Sequence, residues 1–428
     1  MKIVHPAAKQ GKKIVFILGA GFAGLNAAKT LADHEELQVV LVDRRNYHLF
    51  QPLLYQVATA GLNPSDIAVP IRAQFSEDSN VEVHMGSVEV VNLKEKFVSS
   101  GDLQFAYDYL ILACGAQHSY FAHPEWEEFA PGLKNLEQGT EIRRRILTAF
   151  ERAENELDPE KQKAFLNFVI VGGGPTGVEL AGAIADISRT VLVRDFRHIN
   201  PSKARIFLIE AGNRVLASFD EALSRKAAED LQHLGVEVQI SQRVQEINAE
   251  GVRVGAQWIP SKSVFWAAGV QATRLKMEPA VEMDRNGRVL VQKDFSIPEF
   301  SECFVVGDMA SMEVSPKKYL PGLAPVAIQG GRFVAKMILH SIHGRAREEF
   351  HYLDKGQMAT IGKHKAIAEA GKLRLSGYLA WLAWLFVHIA YLIGFKNRIA
   401  VLAQWAWSYA FSKRGARLIT ERDWKLKS

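Results

Sequence analysis

Apolar residues in this chain come in short unbroken runs that end on a glycine or an acid. Lys13-Ile-Val-Phe-Ile-Leu-Gly19 is one such run, rich in β-branched residues, and it predicts a strand buried on both faces of a parallel sheet. Gly19-Ala20-Gly21-Phe22-Ala23-Gly24 follows, then an alanine-rich helical stretch to about Asp33 and a second strand, Leu37 to Val42, ending at Asp43. The order repeats about 150 residues later. Phe165 to Val171 predicts a strand, Gly172-Gly173-Gly174-Pro175-Thr176-Gly177 a turn, Val178 onward a helix, and Arg205 to Ile209 a strand ending at Glu210. The acid lies 19 positions past the last glycine in the first unit and 33 in the second, where Val191 to Ala204 reads as an inserted polar loop.

One glycine motif is weak, because glycine turns between strand and helix also serve packing alone. Two of them, each set between strand and helix and each followed by a strand that ends on an acid, predict two dinucleotide-binding units. The glycines let the backbone approach a pyrophosphate, the helix N-terminus offers free N–H donors, and the acid accepts ribose hydroxyls. Tyr109 to Ala116 and Val264 to Val270 read as strand-then-turn segments that close the two units, and Glu302 to Ala310 as a strand ending in Gly307-Asp308. The expected fold class is α/β, with two Rossmann-like domains able to hold a flavin dinucleotide and a nicotinamide dinucleotide together.

The last segment has a different pattern. Tyr378 to Phe395 is an apolar run of 18 residues, interrupted only by His388, and Ile399 to Phe411 is a shorter one with Asn397, Gln404, Ser408 and Ser412 along one stripe. As a single helix the first run would measure about 27 Å, near the lower limit for crossing a bilayer. A buried helix pair, one membrane span, and two amphipathic helices lying in the membrane interface are the competing readings, and the third is favoured. Between Gly371 and Ser428 ten basic residues face two acidic ones, which gives this tail +8 and leaves the rest of the chain at −3 within a total of +5. A mildly acidic body argues against nucleic acid as a partner, while a basic tail suits anionic lipid.

Length and composition add limits. At 428 residues, 48% of them hydrophobic and 23% charged, the chain is long enough for two or three ordinary globular domains and is neither disordered nor fibrous. Four lysines before residue 14 are not followed by the apolar core of a leader, so no secretory signal is expected. Two cysteines, Cys114 and Cys303, make neither a disulfide framework nor a CxxC pair and read as small buried apolar residues in a reducing compartment. No cluster has metal-ligand spacing, and no metal is expected. His48, His364 and His388 read as satisfied core histidines rather than proton donors.

Over nearly its whole length the chain resembles the type II NADH:quinone oxidoreductases, within the flavoproteins that carry two dinucleotide-binding domains. The resemblance rests on Asn46 to Ala58, on Leu323 to Gly331 and on Ala359-Thr-Ile-Gly362-Lys363, beside the motifs above. It implies a non-proton-pumping enzyme that passes hydride from NADH to flavin N5 and then reduces a membrane quinone, menaquinone or ubiquinone. Its setting would be the cytoplasmic side of the inner membrane, as a peripheral, monotopic homodimer. With the glycine motifs, it implies non-covalent FAD held by Gly19, Gly21, Phe22, Ala23, Gly24, Asp43, Arg44, Val88, Ala113, Gly115, Gly307, Asp308, Ala327 and Ile328. NADH would lie on Gly172, Gly174, Pro175, Thr176, Gly177, Glu210, Ala268 and Gly269, and Glu210 would favour NADH over NADPH, with the nearby Arg214 weighing the other way.

The family's quinone motif is Ala-Gln-x-x-x-Gln. Here it reads Ala324-Pro325-x-x-x-Gln329, which leaves Gln329 as the quinone contact, with Gln51, Pro52 and Leu53 beside it. Glu179 carries two readings. It is a helix-start acid stabilised by the dipole, or, as the resemblance implies, a catalytic residue near the nicotinamide and flavin with a part in quinone reduction or proton supply; the second is favoured. The expected domains are 11–125 with 285–370 for FAD, 160–284 for NADH, a helical connector at 132–163 and a membrane module at 371–428. A flavin reductase for a soluble protein acceptor and a membrane-attached NADH sensor are the rival functions.

Overall fold

The computed structural model describes residues 2–3, 11–101, 103–411 and 415–420, and divides the chain into two compact units. Residues 4–10, Ser412 and the basic residues Lys413, Arg414, Arg422, Lys425 and Lys427 lie outside the described residues.

The first unit comprises Met1–His48, Val69–Gln117 and Val270–Asp354. Its main sheet has the order Ser296–Ile297, Phe300–Val305, Tyr109–Leu112, Lys13–Leu18, Leu37–Asp43, Val81–Met85, parallel except at the first pair. Lys13–Leu18 sits in the middle of it. Val15, Phe16 and Ile17 are fully buried there, which is why the run carries no polar alternation. Each such side chain contributes about 1.5–3 kcal/mol of burial. Helix Phe22–Leu31 packs on helix Ala324–Ile342 so closely that a Cβ on Gly331 would stand 2.2 Å from the Ala23 carbonyl oxygen.

The second unit comprises Leu49–Ala68, His118–Gly269 and Lys355–Ser428. Its parallel sheet runs Val236–Gln239, Arg205–Ile209, Asn167–Val171, Ser263–Trp266, again with the glycine-motif strand inside. The strand begins at Asn167 rather than Phe165. Asp158 caps a helix at Pro159–Leu166 that consumes those two residues, and the Asn167 side chain then ties the strand start to the Pro260 carbonyl at 2.8 Å. The connector is helical as expected, Leu136–Asn155 followed by Pro159–Leu166. The insertion after Val191 is a set of short helical turns.

At the C-terminal end a three-stranded antiparallel sheet, Gln357–Thr360, Ala366–Ala370 and Leu373–Ser376, precedes two helices, Gly377–Tyr391 and Phe395–Phe411. The single helix expected over 378–395 therefore breaks, at Leu392 to Gly394, where Gly394 takes φ +88°. Arg398 closes the break by donating to the Leu392 and Ala390 carbonyls at 2.7 and 3.0 Å. Among the described residues no helix is long and apolar enough to cross a membrane.

The aromatic residues of these helices divide. Trp381, Trp384 and Trp405 are buried in the protein, contrary to the expectation that the tryptophans sit at headgroup depth. Leu379, Phe386 and Phe395, at 66–78% exposure, and Trp407, at 57%, are instead turned out of the protein. The polar stripe also turns inward: Asn397 donates to the Ser65 carbonyl at 3.2 Å and Gln404 to Asp66 Oδ2 at 3.0 Å.

Candidate functional site

The two glycine motifs fold into the same object. Gly19 and Gly172 take φ +100° and +112°, and a Cβ on either would come within 2.5–2.6 Å of the next strand's backbone, at Ala113 and at Ala267 and Ala268. Gly24 and Gly177 let each helix start touch the turn, for a Cβ there would lie 1.8 Å from the Gly19 or Gly172 carbonyl oxygen. Gly21 and Gly174 are different. Nothing lies within 4 Å of a Cβ built on them, so the backbone at both helix N-termini faces open space. Open backbone at a helix N-terminus is what a pyrophosphate requires.

The acids complete the cradles. Asp43 accepts the Ala20 N–H at 2.7 Å and the Arg45 N–H at 2.8 Å, and Glu210 accepts the Gly173 N–H at 2.6 Å and the Gly212 N–H at 2.5 Å. Each carboxylate is thus fixed against its glycine turn with lone pairs left for hydroxyl donors. Arg214 donates to the Ala217 carbonyl at 2.9 Å.

In the first unit Gly307, Ala23 and Ala327 come together, with 3.6 Å from a Cβ on Gly307 to each alanine Cβ, and Asp308 follows in the same turn. Gly115 takes φ +68° at the end of its strand, Ala113 is buried, Val88 and Ile328 are half-buried, and Arg44 is exposed. In the second unit Pro175 opens the helix, Thr176 follows, and Ala268 and Gly269 (φ +71°) end the strand Ser263–Trp266. These positions fit a dinucleotide in each cradle.

The expected quinone contacts are placed less simply. Gln329 donates to the Leu353 carbonyl at 3.0 Å and accepts the Leu353 N–H at 3.1 Å, so both ends of its amide hold the backbone of one residue. Gln51 donates to the Lys134 carbonyl at 2.7 Å, Pro52 is half-buried, and Leu53 is fully buried. The wall of a pocket begins one turn later, at Tyr55 and Gln56.

That pocket lies within the second unit. Glu179, Ala183 and Asp186 line it from one face of helix Pro175–Asp186, spaced i, i+4, i+7. Trp381, Trp384 and Trp405 line it from the C-terminal helices, and Thr360, Gly362 and Lys363 from the strand end. Burial pushes the Glu179 carboxyl up to about 8, opposed only by the Thr360 N–H at 3.4 Å. A carboxyl in that state carries its proton at neutral pH. Trp405 Nε1, Gln56, Tyr55 and Thr360 are linked by hydrogen bonds of 2.7, 3.0 and 3.0 Å. Trp384 stacks on His388 at 4.1 Å, and its buried Nε1 has no partner among the described residues.

Sequence reasoning found Glu179 but not Tyr55, Gln56 or the tryptophans. Gln56 stood inside the quoted 46–58 segment, yet no period separates a pocket wall from a core position there. His388 is satisfied by the Trp384 carbonyl at 2.8 Å, as expected of a core histidine. Both thiols are pushed up to about 12, chiefly by burial, and contact different groups: Cys303 the Tyr107 hydroxyl, Cys114 the Leu18 carbonyl.

Residues 13–331 match the pyridine nucleotide-disulphide oxidoreductase family, and residues 355–414 match the NDH2 C-terminal domain. The type II NADH:quinone oxidoreductase Ndh of Mycobacterium tuberculosis is 43% identical over 425 residues, covering 96% of this chain and 90% of that protein. NdhA of the same organism is 41% identical over 436 residues, covering 98% and 92%. The structure of NDH2 from Plasmodium falciparum in complex with NADH superposes with a TM-score of 0.87 over 96% of this chain and 100% of that one, at 20% identity, a likeness of fold.

Proposed function

The chain belongs to the type II NADH:quinone oxidoreductases, and from that premise we propose that it binds FAD in the first cradle and NADH in the second and reduces a membrane quinone without pumping protons. The observation that carries the reading is the duplicated cradle, in which Gly21 and Gly174 present bare backbone and Asp43 and Glu210 are locked in the same way. Bound there, FAD supplies a hydride acceptor and a two-electron relay to quinone. The protein's own residues do the rest.

Gly172, Gly174 and Gly177 shape the turn for the NADH pyrophosphate, and Pro175 and Thr176 start the helix whose N-terminus faces it. Glu210, fixed by two backbone amides, accepts from the ribose and repels a 2′-phosphate, which favours NADH. Glu179 holds a proton at its carboxyl inside the aromatic pocket, where it can be given to a reduced quinone oxygen. The three buried tryptophans give that pocket flat aromatic surface, and Tyr55, Gln56 and Thr360 set hydrogen-bonding groups beside it, a mixture that suits the flat ring and two oxygens of a quinone head group. Gln329 and Gln51 support the site by holding backbone at Leu353 and Lys134. Neither thiol takes part, since both stay protonated and neither touches the other.

As functional regions we keep 11–125 with 285–370 for FAD, 160–284 for NADH and 371–428 for the membrane, while 49–68, 118–125 and 355–370 fall in the second compact unit. The exposed apolar residues of the C-terminal helices, with exposed Lys396 among them, support a monotopic seat on anionic lipid, and the cytoplasmic side is part of the same proposal. A homodimer is part of the same reading.

A flavin spectrum of the membrane-extracted protein tests it. The expected result is a bound flavin bleached by NADH and restored by added quinone. Protein that stays colourless after reconstitution with FAD would overturn it.

A further inference from the structure

The two cradles correspond down to the peptide that follows the first glycine, and there they differ by one substitution of parts. In the second cradle the Gly173 N–H is held by Glu210, and the Gly173 carbonyl accepts the Leu216 N–H at 2.7 Å. In the first, the Ala20 N–H is held by Asp43, but the Ala20 carbonyl accepts from a side chain, His48 Nδ1, at 2.8 Å. His48 comes five residues after Asp43 and Leu216 six after Glu210, so the imidazole occupies the place of a backbone amide.

We propose that His48 is a positioning residue for FAD, whose Nδ1–H fixes the Ala20–Gly21 peptide and so aims the Gly21 N–H at the cofactor's pyrophosphate. In a trans peptide the C=O and the following N–H point in opposite directions. Whatever holds the Ala20 oxygen inward therefore sets the outward direction of the Gly21 amide, at a residue whose Cβ position is open space among the described residues. This rests on the flavoprotein reading above.

A core role alone does not account for the ring. His48 is 2% exposed and packs edge-on to Phe22 at 5.4 Å, a site phenylalanine would fill. Burial holds the imidazole below its usual pKa, so it is neutral, and with Nδ1 donating, Nε2 is a buried acceptor that finds no partner among the described residues. An unpaired buried nitrogen is a cost that an apolar residue would avoid. What the histidine supplies in return is the donor to Ala20.

The test measures FAD release from the purified holoprotein on dilution, by recovery of flavin fluorescence, together with NAD⁺ affinity. His48→Phe should weaken FAD about tenfold, the weight of one net hydrogen bond, and leave NAD⁺ affinity unchanged, because the second cradle is closed by backbone. His48→Asn, whose Nδ2–H stands at a similar distance along the side chain, should restore FAD affinity close to wild type. Phe holding FAD as wild type does, or Asn as weak as Phe, overturns the assignment. If the Phe variant does not fold, Asn decides alone: near wild-type affinity supports the role, and a tenfold loss ends it. A wild-type protein that retains no FAD is a separate result, which removes the flavoprotein reading and the role of His48 with it.

Discussion

Trp405 Nε1 donates to Gln56 Oε1 at 2.7 Å, and Gln56 passes the contact on to the Tyr55 hydroxyl at 3.0 Å. The helix that carries Trp405 thereby sets the position of two pocket-wall residues far earlier in the chain. Trp405→Phe keeps the ring and removes the donor, leaving Gln56 Oε1 short of a partner. The expected cost is about 1–3 kcal/mol of stability, read by denaturant unfolding, with a raised KM for quinone and an unchanged KM for NADH. Unchanged quinone KM with full stability would mean that the link has no effect on the pocket.

Glu179 gives a pH dependence with a definite sign. Its carboxyl sits at about 8 in the folded chain against an ordinary value of 4.5, so the native state binds the proton more tightly than the unfolded one. The resulting stability is fully present below pH 4.5 and is lost as pH rises through about 8. Glu179→Gln should flatten that dependence in unfolding experiments. In stopped-flow measurements, flavin reoxidation by quinone should decline above pH 8 in the wild type. In the Gln variant it should be slower by about a hundredfold or more and without that decline, while reduction by NADH changes little. A wild-type pH profile shared by the variant would return Glu179 to a structural role.

The glycines separate ligand space from packing space. Gly21→Ala adds a methyl that meets no protein atom at an ordinary helix-entry φ of −70°, whereas Gly24→Ala drives one to 1.8 Å from the Gly19 oxygen. Thermal melts of the flavin-free proteins should show the first close to wild type and the second several kcal/mol less stable. Flavin content should fall in both. A Gly21→Ala protein that keeps its flavin would place the pyrophosphate elsewhere.

Membrane seating is best tested by single charges, not by truncation. Cutting at Gly371 removes Trp381, Trp384 and Trp405, which are buried in the protein, and would damage the fold itself. Phe386, 77% exposed, and Leu379, 66%, can be changed to Asp with little loss inside the protein. The double variant should keep its melting temperature and sediment poorly with vesicles containing anionic lipid. Retention on vesicles at wild-type level would remove these helices from the membrane contact.

The cradles were legible in the sequence because they are made of backbone requirements. Gly19 and Gly172 must take positive φ beside a neighbouring strand, and no other residue does so without strain, so the chemistry is written in residue type. The C-terminal helices were legible only as apolar. Hydrophobicity does not distinguish a tryptophan facing lipid from one facing Gln56, and the stripe Asn397–Gln404 looked the same whether its partner was water or Asp66. Gln329 shows the limit from the other side. Its amide, conspicuous in a motif, is taken up by the Leu353 backbone, a contact that depends on a loop 24 residues away.

The Arg398 guanidinium ties the second C-terminal helix to the last carbonyls of the first, and Trp384 and Trp405 meet at 5.5 Å between them. The elbow at Gly394 is therefore set before the protein meets anything greasy. Landing on a bilayer would then consume almost no folding entropy, which lets even a modest oily patch hold the enzyme in place.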